Sequence, residues 1–198
     1  MRTAITVLTF CLALTILFTS QAESVQMNLS QEDITEAIEY GHAGRELSHP
    51  ELLRNWRIDH GYGVGSATLV TPFASIVVLA KEKAKRFLEP TESEIKKTLE
   101  DNKNQLVFGC ALYGDTAWFA DKYRAYLIYK DKKYEPSEKE VPTDATFTRS
   151  YPDPPRYWAL CFYKFKIADL NPNAKVTLVL KERDGQELKF PFNMAKLR

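Results

Sequence analysis

The residues with the chemistry of a metal centre lie close together in the chain. His42, His49 and His60 fall in one short window, with Glu39 and Asp59 beside them. Neutral imidazoles and carboxylates are the ligands of hydrolytic metal sites. Glu39 and His42, three apart, would share one face of a helix. The spacings match no strong signature such as H-E-x-x-H, and Gly41 is placed to end the helix between the two side chains. A metal-dependent hydrolase using His42, His49 and His60 is therefore the alternative reading, not the first.

Nucleophiles are harder to find. Ser66, in GVGSA, lacks the glycine two residues further on that a nucleophile elbow requires. Cys110, in FGCALYG, falls on an apolar strand face, where a thiol is inert. The stretch GYGVGSATLVTPF, residues 61–73, has alternating glycines but is not a dinucleotide loop. Its third small position falls on Ser66 or Thr68, and it precedes a strand where the motif should follow one. No lysine stands where a phosphate-binding P-loop needs it. The glycines read as a turning entry into the strand. No cofactor is implied.

Cys110 and Cys161 are better suited to a disulfide. Both fall on strand faces assigned inward, in strands that would oppose each other across a sandwich. A bridge closing a loop of about fifty residues would stabilise the fold by ~4 kcal/mol in the chain-entropy model, provided the Cα atoms come within about 7 Å.

The remaining candidates are aromatic. Trp118, Tyr134, Tyr151 and Tyr157 fall in or beside loops, with Phe119 next to Trp118. Exposed tyrosine and tryptophan favour recognition. The segment SYPDPPRYW is stiff and proline-rich, a stretch that a partner could grip.

These side chains need elements to hold them. Ser30 is a helix N-cap with Glu32 and Asp33 in the first turn. Ile34, Ala37 and Ile38 share one face. A short helix begins at His49-Pro50. Thr71-Pro72 opens a third helix, apolar on every side through Ala80 and then wet through KEKAKR. Thr91 and Glu94 make a capping box for a fourth. From Gln105 the period becomes two. Strands are predicted in QLVFGCALYG, YRAYLIYK and RYWALCFYKFKI. A hairpin spans KVTLVLKERDGQELKFPF, with Asp184-Gly185 as its turn and Val176, Leu178 and Leu180 matching Leu188, Phe190 and Phe192. The polar connection from about Asp131 to Pro155 is long enough to be functional, disordered or hiding an edge strand.

The predicted fold is α+β: N-terminal helices over residues 23–104, packed on a C-terminal antiparallel β-sandwich over 105–198. It is immunoglobulin-like in architecture only, since Ala159 stands where that fold wants a tyrosine, two residues before its second cysteine.

The compartment follows from residues 1–22. Arg2, the apolar run 4–18 and the small residues Ser20 and Ala22 read as a signal peptide cleaved after Ala22, which places the protein as secreted or periplasmic. Cys11 would leave with it. No second run is long enough to span a bilayer. Asn28-Leu29-Ser30 has the pattern of a glycosylation acceptor. Charge is nearly balanced, 27 Lys and Arg against 26 Asp and Glu, with no basic block, which argues against nucleic acid as a partner. The expected function is a non-catalytic binding or assembly module for a protein or envelope partner. A third reading docks the apolar helix Pro72–Ala80 into a larger complex.

Overall fold

The structure, a computed structural model, describes residues 28–183 and 185–197. The expected export segment, its cleavage after Ala22, and Asp184 of the hairpin turn lie outside the described residues.

Helix α1 (Gln31–Ala43) starts at Ser30, whose hydroxyl accepts from the Asp33 amide at 3.1 Å while the Asp33 carboxylate accepts from the Ser30 amide at 2.8 Å. This reciprocal box satisfies amides that no helical carbonyl can reach. The helix does not end at Gly41. Gly41 lies inside it, where it crosses α3 (Pro72–Ala84); a Cβ there would stand 2.5 Å from the Val77 carbonyl oxygen and 2.7 Å from Ala80 Cβ. Glycine is used here for close approach of two helices, and the chain leaves α1 at Gly44 instead.

Helix α2 (His49–Leu52) is capped by Ser48 and Glu51. Thr71 caps α3, accepting from the Ala74 amide at 3.1 Å. The KEKAKR half of α3 is not uniformly wet. Lys81 is fully buried, and its ammonium donates to the carbonyls of Gly44 at 3.3 Å, Arg45 at 2.9 Å and Leu47. A cation is thus placed on the carbonyl groups at the exit from α1, where the helix dipole favours it. Burial holds the Lys81 pKa below its usual value. Helix α4 (Glu92–Asp101) opens with the expected Thr91–Glu94 box.

Two antiparallel sheets face each other. The first runs β1 (Arg57–Asp59), β2 (Ser66–Val70), β3 (Gln105–Gly114), β8 (Tyr157–Lys166) and β6 (Glu138–Glu140), with β7 (Thr146–Phe147) also paired to β8. The second runs β10 (Glu187–Asn193), β9 (Lys175–Lys181), β4 (Arg124–Tyr129) and β5 (Lys132–Tyr134). The inward residues come from both sheets: Leu69, Phe108, Leu112, Tyr163 and Phe165 from one, Leu127, Leu178, Leu180, Phe190 and Phe192 from the other. Phe108 packs edge-on to Phe165 and tilts against Phe192, with centroids 5.8 and 5.4 Å apart. Trp56 stacks on Phe73 of α3 and joins the helices to this core. The fold is α+β with a β-sandwich.

The hairpin β9–β10 has the expected register: Leu188 opposite Leu180, Phe190 opposite Leu178, Phe192 opposite Val176. The long connection after β4 contains three short edge strands, β5, β6 and β7. The boundary expected between residues 104 and 105 does not separate helices from strands, because β1 and β2 precede it and pair into the sheet of β3.

The cysteines differ from expectation. Cys110 and Cys161 do not oppose each other across the sandwich. They are register partners on adjacent strands of one sheet, both buried and both free thiols.

Candidate binding surface at the loop end of the sandwich

The glycine stretch forms the β1–β2 turn. Gly61, Gly63 and Gly65 have φ of +100°, +82° and +140°, backbone that side chains rarely adopt. The turn is fastened by the Gly61 amide donating to the Asp59 carboxylate at 2.9 Å and the His60 amide donating to the Gly65 carbonyl at 3.0 Å. It carries Tyr62 and Val64 out into solvent.

The proline-rich segment folds back between β7 and β8. The Thr148 amide donates to the Arg156 carbonyl at 2.8 Å, and its hydroxyl donates to the Pro155 carbonyl. Arg156 donates through Nε to the Pro152 carbonyl at 2.8 Å, and the Asp153 amide to the Ser150 carbonyl at 2.8 Å. Tyr151-Pro152 and Pro154-Pro155 are cis peptides. These internal bonds make the segment a structured turn.

The two loops meet. Tyr62 Oη and Ser150 Oγ are 2.9 Å apart, and the Arg149 guanidinium lies 4.3 Å from the Tyr62 ring centroid. That hydroxyl contact draws the Tyr62 phenol below its usual pKa. Tyr62 also packs edge-on to Tyr113 at 5.2 Å. On the other flank, Phe147 contacts Tyr151 at 4.3 Å and Tyr157 at 5.2 Å. Tyr157 is half-buried, and Phe147 and Tyr151 are 57% and 50% exposed. Trp158 and Leu160 are also exposed, but alternation along β8 puts them on the opposite face from Tyr157 and its register partner Phe147. Below the loop junction lies a cleft of about 510 Å³ lined by Gly63, Val64, Thr116, Pro154 and Pro155 among others. The buried Thr116 hydroxyl there has no partner among the described residues.

Of the four aromatic candidates, the structure unites Tyr151 and Tyr157. Trp118, 61% exposed, stands in a neighbouring charged cleft. Tyr134 is elsewhere: it lies on edge strand β5 of the second sheet, half-buried, opposite Leu127 and beside Tyr129. Sequence reasoning missed Tyr62, Tyr113 and Phe147. Tyr62 had a signal, since a tyrosine between turn-forming glycines must point outward.

The histidines do not converge. His42 Nε2 is 3.2 Å from the Glu89 carboxylate and His49 Nε2 is 3.3 Å from that of Glu82. Burial, with Lys81 and Lys85 nearby, holds the His49 pKa below its usual value against the pull of Glu82. His60 lies against β10 instead, its Nε2 3.0 Å from the Lys189 carbonyl and its ring stacked on Phe190 at 4.6 Å. Each imidazole has a different partner, and among the described residues no three His, Cys, Asp or Glu side chains are grouped to hold a metal ion. His42, His49 and His60 therefore do not form the shared metal site expected of the hydrolase alternative. Cys110 and Cys161 are buried, and burial raises both thiols, Cys161 to about 11; neither is an activated nucleophile. No helix among the described residues is long and apolar enough to cross a membrane.

Neither a protein-family pattern nor a curated protein matches the sequence. Two solved structures show a weak likeness. The archaellum periplasmic stator protein complex FlaF and FlaG from Sulfolobus acidocaldarius is 12% identical, with a TM-score of 0.32 over 45% of this chain and 77% of that one. The archaellum periplasmic stator protein FlaG from the same organism is 11% identical, with a TM-score of 0.28 over 45% and 86%. Superpositions this loose carry no information about role; what this chain itself presents is an antiparallel sandwich with an aromatic loop end.

Proposed function

We propose that the protein is an exported, non-catalytic binding or assembly module whose loop end engages a protein partner. One observation carries this reading. Tyr62, Phe147 and Tyr151 are exposed on and beside two mutually fastened loops. Clustered exposed rings on a rigid support are the composition of interface hot spots. Their order is set beforehand by the Tyr62–Ser150 and Thr148–Arg156 bonds, so little conformational freedom is lost on binding. Export, through the apolar run 4–18 and cleavage after Ala22, is part of the same proposal, as is an envelope or extracellular partner.

The test is site-specific photo-crosslinking in the source organism. A photoreactive residue replaces Tyr151 in one strain and Thr177, on the outer face of β9, in another. A discrete crosslinked protein from position 151, absent from position 177 and lost with Phe147→Ser, supports the reading. No product at 151, or the same product from both positions, overturns it.

A further inference from the structure

Beside the aromatic surface, and sharing none of its rings, lies a cleft of about 690 Å³ between the segment that follows β3 and the β9–β10 hairpin. Trp118 lines it. The cations Lys122, Arg124, Lys181 and Arg183 line it as well, together with the carboxylates Asp121 and Glu182. The side chains of Lys122, Arg124 and Arg183 make no ion pair or hydrogen bond among the described residues, although carboxylates line the same cleft. Arg124 is also the direct register partner of Lys181 across the β4–β9 ladder. Like charges placed opposite each other weaken a sheet, and Lys181 is compensated only from its far side, by Glu187 at 3.4 Å. The cleft thus holds unpaired cationic side chains together with an exposed indole.

We propose that this cleft binds an anionic saccharide, a sugar ring bearing a carboxylate or sulfate. The flat indole stacks on the apolar face of the ring. Arg124 and Arg183 hold the anionic group by charge-assisted hydrogen bonds, with Lys122 adding charge. Asp121 and Glu182 accept hydrogen bonds from ring hydroxyls. Those two carboxylates are what favour a polyhydroxylated ligand over a bare, multiply charged ion, which they would repel. The proposal goes beyond the partner-binding reading and does not rest on it.

The test is a nuclear magnetic resonance titration of the full exported chain with trigalacturonate, following the Trp118 indole and the amides of Lys122, Arg124 and Arg183. Neutral maltotriose, inorganic phosphate and a tetra-aspartate peptide serve as comparison probes. Saturable shifts confined to the cleft with trigalacturonate, and none with maltotriose, are expected. Trp118→Ala and Arg124→Gln should each weaken binding about tenfold or more, the equivalent of ~1.4 kcal/mol, while Lys175→Gln at the far end of β9 leaves it unchanged. Trp118 and Arg124 are both exposed, so the variants keep the fold, checked by their unchanged core resonances. Absence of saturable shifts at Trp118 overturns the proposal. So does equal binding of phosphate, which would show charge attraction without ring recognition, or of tetra-aspartate, which would show an acidic-peptide site. The crosslinking result at Tyr151 is independent of every one of these outcomes.

Discussion

Cys110 and Cys161 face each other as direct partners across the β3–β8 ladder, inside the sandwich and without a bond between them. Register partners in antiparallel strands have Cα atoms about 4.5–5.5 Å apart, a separation within the range of disulfides. Burial raises both pKa values, so the thiolate needed for reaction is scarce. The native protein should therefore resist alkylation by iodoacetamide at pH 8, and both residues should label once denaturant opens the sheet. Mass spectrometry reads this directly. Rapid labelling of either residue in the folded protein would show that the sheet opens at β3–β8. Refolding with oxidised glutathione tests the pair's capacity to bond: two thiols lose two hydrogens to the oxidant, which is itself reduced to two thiols.

The helix crossing at Gly41 leaves no room for a side chain. Gly41→Ala places a methyl against the Val77 carbonyl and Ala80 Cβ. Neither can turn aside, because one is backbone and the other is held by α3. We expect a loss of about 1–3 kcal/mol, the usual range for overpacking, measured by urea denaturation. An unchanged midpoint would mean that α1 can shift away without consequence.

Phe87 presents the opposite case. It leaves α3 with φ of +58° and its side chain is 88% exposed. The turn is held by the Phe87 amide on the Ala84 carbonyl and the Leu88 amide on the Lys83 carbonyl, each at 3.0 Å, a helix ending that favours glycine. Phe87→Gly removes a left-handed side chain without uncovering core, so stability should rise by about 1 kcal/mol. A fall in the denaturation midpoint would show that the ring is packed in solution.

Acid should loosen the fourth helix. The Glu94 carboxyl is held down to about 2 by the Lys83 ammonium, with the Thr91 amide and hydroxyl adding to it. Its folded pKa lies below the ordinary value of 4.5, so its contribution is complete above pH 4.5 and is lost as pH falls through about 2. Glu51, Glu82 and Asp59 are shifted in the same direction and share the slope. Thermal midpoints across this window should fall less steeply in Glu94→Gln. Added salt should also flatten the wild-type curve, because the Lys83–Glu94 pair is partly exposed. An identical pH dependence in the variant would remove Glu94 from the account.

What the sequence alone determined is local. Ser30, Thr71 and Thr91 start helices because a capping oxygen reaches amides only two or three residues away. The β9–β10 register could be read because a tight turn fixes which residues oppose each other. Alternation marked β4 and β8 because one face of each is buried, whereas β3 is buried on both faces from Leu106 to Cys110. For β5 to β7 the sequence leaves an edge strand as one of three options and gives no positions, because Lys132, Glu138 and Glu140 sit on sheet edges, where wet faces leave no alternation to read.

Tertiary structure decided everything that depends on which strands become neighbours. It placed Cys110 beside Cys161 rather than across from it, and sent His42, His49 and His60 to separate partners. It kept Gly41 inside α1, because the nearness of α3 is not encoded within a few residues of that glycine. It also joined the Tyr62 turn to the Ser150 loop, which are far apart in the chain and touch because β2, β3 and β8 lie side by side. Periodicity records which face of an element is buried, whereas a site made from two loops depends on strand order, and strand order is set by packing over the whole core.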